Sequence, residues 1–253
     1  MTDIEIIKRS EQVEGNFNNG EILEKKPVGF PQDGGKSRPY SNIFYWAHAW
    51  TNEKKSTIGL HPHQGFEICS FILSGKINHY DTKQERWITL RQGDVQIIRS
   101  GSGISHSEEL LEKSEIFQIW FDPDLSKSLS QEASYDDYKP EDFHEEKSKE
   151  IYKKTICGPG SKMRMDSKGI EIFEYKVSRN KNVDVKQEKE NIYSYFLIEG
   201  RLRIDNNTIE KGDFFKVRSD KKVRIESELD SKIFVIKSPR RTSYVTYAQK
   251  RII

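Results

Sequence analysis

The sequence predicts an all-β chain of two tandem barrels joined by a charged linker. Three observations carry this. Short segments rich in Ile, Val, Phe and Tyr recur between Gly, Asp, Asn and Ser, while no long segment shows helical periodicity. The two halves of the chain repeat one another. Between them lies a stretch of opposite composition.

The strand segments are, in order, "FEICSFILSG", "DVQIIRS", "EIFQIWF", "IEIFEYKV", "IYSYFLIEG", "DFFKVRS", "VRIESE" and "KIFVIKS". "SFILSGKI" (70–77) answers "YFLIEGRL" (195–202), setting Gly75 against Gly200. "LRQGDVQIIRS" (90–100) answers "IEKGDFFKVRS" (209–219), setting Gly93-Asp94 against Gly212-Asp213. The spacing between the paired glycines shrinks from 18 to 12 residues, which a shorter hairpin explains. Residues 122–150, "DPDLSKSLSQEASYDDYKPEDFHEEKSKE", are charged, poor in branched aliphatics and interrupted by Pro123 and Pro140. They read as a linker with a short turn of helix. The expected domains are 1–121, the linker 122–150, and 151–253.

The 42 basic residues are balanced by 40 acidic ones, so nothing calls for nucleic acid as a partner. No apolar run approaches the length of a membrane span. The N-terminal "MTDIEIIKRSEQ" is charged and has no apolar core or small-residue cleavage site, so the expected compartment is the cytoplasm. The two cysteines, Cys69 and Cys157, match no zinc spacing and no disulfide framework. Cys69 lies in an apolar run and is expected to be buried.

Chemistry concentrates in "IGLHPHQGFEICSFILSG" (58–75) and "SGSGISHSEE" (100–109). In a strand, residues two apart point to one face, so His61 and His63 project together, and so do His106 and Glu108. Converging inside a barrel, these pairs would present three imidazoles and a carboxylate. Such a set suits a borderline first-row divalent metal, Fe(II), Mn, Ni, Cu or Zn, with positions left open for substrate. By spacing alone, a set of surface histidines stays equally open.

"HPHQGFE", "GKINHYD", "QGDVQ" and "GSGISHSEE" together resemble the pirin family, over roughly residues 58–110. Its members carry His-Pro-His-Arg-Gly-Phe-Glu, Gly-x-x-x-His-x-Asp, Pro-Gly-Asp-Val-Gln and Ala-Gly-x-Gly-Ile-x-His-Ser-Glu in that order. Gln64, Gln92 and Ser100 depart from the pattern, and none of them is a ligand position. The resemblance implies a bicupin, two double-stranded β-helix barrels of the cupin superfamily. It implies one metal, most often iron, with Mn, Ni, Cu, Zn or Co as alternatives, held by His61, His63, His106 and Glu108. It also implies a function: a dioxygenase that takes a flavonol-like aromatic such as quercetin and dioxygen, with Glu108 as proton acceptor. The alternative it implies is a non-enzymatic regulator whose metal redox state sets its affinity for a protein partner.

Glu67 competes for the carboxylate role, since it shares strand parity with His61 and His63; the pirin pattern favours Glu108. His79 reads as a hydrogen-bonded strand histidine, His48 as part of an aromatic cluster with Tyr45, Trp46 and Trp50, and His144 as solvent-facing in the linker. The second barrel is expected to hold no metal. Carrying the ligand positions across by their offsets from the paired glycines gives Lys186, Glu188, Ile225 and Ser227, and no histidine follows His144.

Overall fold

The structure, a computed structural model, describes residues 2–149 and 151–250. It is nearly all strand. The chain opens with β1 (Asp3–Ile7), followed by β2 (Val13–Phe17), β3 (Ile22–Val28), β4 (Ile43–Thr51), β5 (Ser56–His63) and β6 (Glu67–Ser74). Next come β7 (Lys76–Asp81), β8 (Trp87–Arg91), β9 (Val95–Arg99), β10 (Ile104–Leu110), β11 (Glu115–Phe121), the helical turn α1 (Leu125–Ser128) and β12 (Ser134–Tyr138). The second half holds β13 (His144–Lys147), β14 (Ile151–Cys157), β15 (Glu171–Val177), β16 (Lys181–Lys186), β17 (Asn191–Glu199) and β18 (Arg201–Ile204). It closes with β19 (Asn207–Glu210), β20 (Phe214–Arg218), β21 (Lys222–Ser227), β22 (Ser231–Pro239) and α2 (Tyr247–Lys250). All eight strand segments expected from sequence are present. Among the described residues no helix is long and apolar enough to cross a membrane.

Two compact units share one plan. The first packs a seven-stranded sheet, in the order β12-β9-β6-β11-β4-β3-β2, with a four-stranded sheet, β5-β10-β7-β8. The second has β1-β20-β17-β22-β15-β14-β13 and β16-β21-β18-β19. The repeat read from sequence is therefore a repeat of whole barrels. Strands of the seven-stranded sheets, such as β6 and β17, are buried along nearly their whole length and so read as continuous apolar runs. Strands of the four-stranded sheets, such as β7 and β18, alternate buried with open positions because one face meets solvent.

The paired glycines occupy matching hairpins. Gly75 (φ 71°) and Gly200 (φ 93°) both need the left-handed region, and a Cβ on either would come within 2.8 Å of the Cα of Ser114 or Ser231. The paired aspartates match too. Asp94 accepts from the Arg91 N–H at 2.9 Å and from Lys139 Nζ at 2.6 Å. Asp213 accepts from the Glu210 N–H and Lys8 Nζ, each at 2.9 Å. Lys139 follows β12 and Lys8 follows β1, so these two strands are counterparts although one follows the other strands of its sheet in the chain and the other precedes them.

Residues 122–150 are not a free linker. They contain α1, β12, a 3-10 turn at Pro140–Asp142 and β13. Both β12 and β13 are edge strands, paired on one side to β9 and β14 respectively. Edge strands are commonly charged, which discourages further pairing, and here that charge imitates a linker. The compact units also divide differently from 1–121 and 151–253: Gln12–Pro140 goes with the chain from Ser243 on, and the chain up to Glu11 goes with Glu141–Thr242. β1 pairs with β20, Asp3 opposite Arg218. In the first unit, Tyr244 Oη donates to the Asp122 carbonyl at 2.8 Å, and the Tyr247 ring lies 5.5 Å from Phe66 and 5.8 Å from Phe44.

Candidate metal centre

The antiparallel register of β5 and β10 sets His61 opposite His106 and His63 opposite Ile104. The register slips between His106 and Glu108, which faces Ile58 across the pair. This bulge bends the strand where Gly59 lies, and the Gly59 carbonyl sits 2.7 Å from His61 Nδ1. On its other side β10 pairs with β7, with Glu108 opposite His79 and His106 opposite Asp81. The i, i+2 pairs therefore do turn to one face.

Three imidazoles meet there. Ring centroids are 4.4 Å apart for His61 and His106, 4.8 Å for His63 and His106, and 4.9 Å for His61 and His63. One ring nitrogen from each lies within 4.8 Å of the other two. His106 and Glu108 are almost fully buried. Both nitrogens of His106, and Nε2 of His63, are buried without a hydrogen-bond partner. Leaving such atoms bare costs about 1–3 kcal/mol each, an expense the fold does not explain. Each neutral ring has one lone-pair nitrogen, which a divalent transition metal would use, so the residues fit such an ion. Burial first, then the neighbouring imidazoles, hold His63 and His106 near pKa 3, so both rings are neutral donors at neutral pH. His61 donates its Nδ1 proton to the Gly59 carbonyl, which leaves Nε2 as the bare nitrogen.

Glu108 is held from the opposite sheet. Ser70 Oγ donates to its Oε1 at 3.1 Å and Gln118 Nε2 to its Oε2 at 2.5 Å. Gln118 in turn accepts from Trp120 Nε1 at 3.2 Å. The carboxylate shares a second donor group with His106 and His79, again with atoms within 4.8 Å of each other.

The model of the family described as Pirin matches residues 37–121, the stretch that carries all four expected ligands. Residues 37–121 match a pirin domain. The chain is 43% identical over 65 residues to a pirin-like protein of Caulobacter vibrioides, covering 25% of this chain and 28% of that one. It is 22% identical over 185 residues to quercetin 2,3-dioxygenase of Escherichia coli, covering 72% and 76%. Its fold is similar to that of a bacterial pirin from Escherichia coli solved in complex with nickel(II), with a TM-score of 0.79 at 17% identity, over 94% of this chain and 100% of that one.

Within the pirin domain, the rival carboxylate Glu67 belongs to neither donor group. Its Oε1 lies 3.8 Å from Arg99 Nε. The parity argument for it fails because Gln64, Gly65 and Phe66 leave the strand between β5 and β6, so the alternation restarts. His48 packs on Trp50 and Phe117 and meets Glu115 at 2.5 Å, as an aromatic-cluster residue should. Tyr45 parts from that cluster. With Trp120 (4.8 Å) and Phe30 (5.1 Å) it forms an aromatic wall that reaches His63, whose ring is 4.8 Å from Trp120. Sequence reasoning missed Ser70, Gln118 and Trp120. The signal was there: Ser70 and Gln118 are lone polar residues in the apolar runs "EICSFILS" and "EIFQIWF", and they face each other across β6 and β11.

The register corrects the positions carried into the second barrel. Matching Gly75 to Gly200 makes Ile77 equivalent to Leu202, and their partners Leu110 and Ser227 equivalent in turn. His106 and Glu108 then correspond to Val223 and Ile225, and His61 to Val185, the partner of Val223. Lys186, Glu188 and Ser227 drop out because the connecting loops differ in length. Val185, Val223 and Ile225 are part of one buried apolar cluster. We therefore expect one metal per chain, in the pirin domain; an anomalous-scattering peak inside the second barrel would contradict this.

The neutral histidines also set a pH dependence for metal-free protein. Their folded pKa lies below the unfolded value of about 6.5, so the unfolded chain binds more protons on acidification. Stability is full above about pH 6.5 and falls toward pH 3, by about 1.4 kcal/mol per pH unit for each such imidazole. Urea unfolding between about pH 7.5 and 5 checks this. A slope unchanged in His63→Ala would assign it to other groups.

Proposed function

We propose that the pirin domain is a metal-dependent dioxygenase acting on a flavonol-like aromatic such as quercetin. His61, His63, His106 and Glu108 hold one divalent transition metal, Fe(II) ahead of Mn, Ni, Cu, Zn or Co. The observation that carries this reading is the convergence of bare, neutral imidazole nitrogens beside an aromatic wall. The name of the Escherichia coli relative supports the substrate class.

When bound, such an ion supplies a Lewis acid that lowers the pKa of a coordinated hydroxyl. The chain supplies the rest. Trp120, backed by the buried Tyr45 ring, offers a surface against which a flat aromatic can lie and excludes water from the side of His63. Ser70 and Gln118 each occupy one lone pair of Glu108, one on either oxygen, and so fix the plane of the carboxylate. The remaining lone pairs are free to ligate and to accept the flavonol 3-hydroxyl proton. The overall change joins one dioxygen to the flavonol and releases carbon monoxide.

The test follows loss of flavonol absorbance together with carbon monoxide release. Metal-loaded protein is compared with apoprotein and with His61→Ala/His106→Ala at equal free metal. Only the loaded native chain is expected to exceed the metal-alone rate, and three equal rates would sink the reading. Glu108→Gln is expected to lower turnover more than metal content if Glu108 accepts the proton, and both equally if it only ligates.

A further inference from the structure

His79 and Asp81 form a buried pair beside the metal centre, and both side chains are fully enclosed. Asp81 gathers donors: Lys83 N–H at 2.8 Å and Gln84 N–H at 2.7 Å on Oδ1, and Gln84 Nε2 at 3.2 Å on Oδ2. That Oδ2 also meets His79 Nε2 at 2.9 Å. A carboxylate so placed is an acceptor, so His79 carries its proton on Nε2. In the neutral ring Nδ1 is the lone-pair nitrogen, and it is buried with no hydrogen-bond partner. The imidazole offers one nitrogen within 4.8 Å of ligating atoms of His106 and Glu108.

The fold alone does not ask for this arrangement. In the second barrel the register places Ile204, partner of Ile225, where His79 stands opposite Glu108. Isoleucine fills the position there with no exposure. A histidine fixed by a buried aspartate, with its other nitrogen bare, is the arrangement found around metal-binding imidazoles.

We propose that His79 is a metal ligand, forming with His106 and Glu108 an inner donor set that adjoins the outer set of His61, His63 and His106. His106 belongs to both sets, so a divalent ion has two neighbouring positions in one pocket. The proposal rests on the metal reading above and adds to it the role of a residue outside the four expected ligands.

The test titrates Co(II) into metal-stripped protein and follows its visible absorption. The native chain is expected to bind one ion. His61→Ala/His63→Ala destroys only the outer set and is expected to bind Co(II) more weakly but saturably. Adding His79→Gln to that variant should weaken binding by a further factor of at least about ten. In the otherwise native chain, His79→Cys should add a thiolate-to-Co(II) charge-transfer band, which needs direct contact and does not depend on the double variant folding. Failure of the native chain to bind Co(II) would overturn the metal reading and this proposal together. Native binding with no charge-transfer band in His79→Cys, or with double and triple variants alike, would overturn this proposal alone.

Discussion

The His61→Ala/His106→Ala variant is expected to lose its metal completely and with it any dioxygenase turnover. The two residues come from facing positions of β5 and β10, with ring centroids 4.4 Å apart. Removing both leaves His63 as the one imidazole of the outer set. It also breaks the inner set, because His106 is common to the two donor groups. The fold should survive the change. His106 is buried without hydrogen bonds, so no partner is stranded by its loss, and His61 sits at a partly open strand end. Elemental analysis of anaerobically purified protein, with a thermal melt against metal-free native chain, reads both effects. Full metal occupancy in the double variant would show that the ion binds elsewhere.

Phe215→Ala should produce the largest loss of stability in the second barrel, about 3–5 kcal/mol. Phe215 is fully buried and stands opposite Tyr195 across β20 and β17. The two rings are stacked at 4.6 Å and only 3° from parallel. Tyr195 cannot swing into the space, since its hydroxyl is held by Gln187 Nε2 at 2.9 Å. The cavity therefore stays open, and both the transfer and the cavity costs are felt. Urea unfolding measures the change, and a loss under about 1 kcal/mol would mean that the barrel collapses around the site. Metal content should not change, because every candidate ligand lies in the first unit.

How legible these features are in sequence follows from which face of a sheet each strand shows to solvent. Strands buried on both sides, such as β6, β11, β17 and β22, declare themselves as apolar runs. Strands β5, β7, β10 and β16 of the four-stranded sheets carry too many polar residues to stand out. Yet the first three of these carry the candidate donor groups, so those groups were read from histidine spacing and family motif and not from strand pattern. Edge strands are harder still: β13, "HEEK", is exposed at every position and looks like linker. His61 and His63, like His106 and Glu108, come to one face because a spacing of two is preserved within one strand. Glu67 shows the limit of that rule, since three residues out of the strand reset its parity. Ser70 and Gln118 reach Glu108 across the barrel from another sheet, a relation that no local spacing encodes.

The pairing of β1 with β20 bears on the order in which a growing chain can become structured. β12 follows its partner β9 within the same stretch of chain, so that sheet edge is available once residue 138 has been made. β1 is made before the other described strands, yet Asp3 must wait for Arg218. Loop closure over such a separation is entropically expensive and slow. A strand made before its described neighbours is thus among the last of them to find a partner, and until then its unpaired edge stays open to wrong ones.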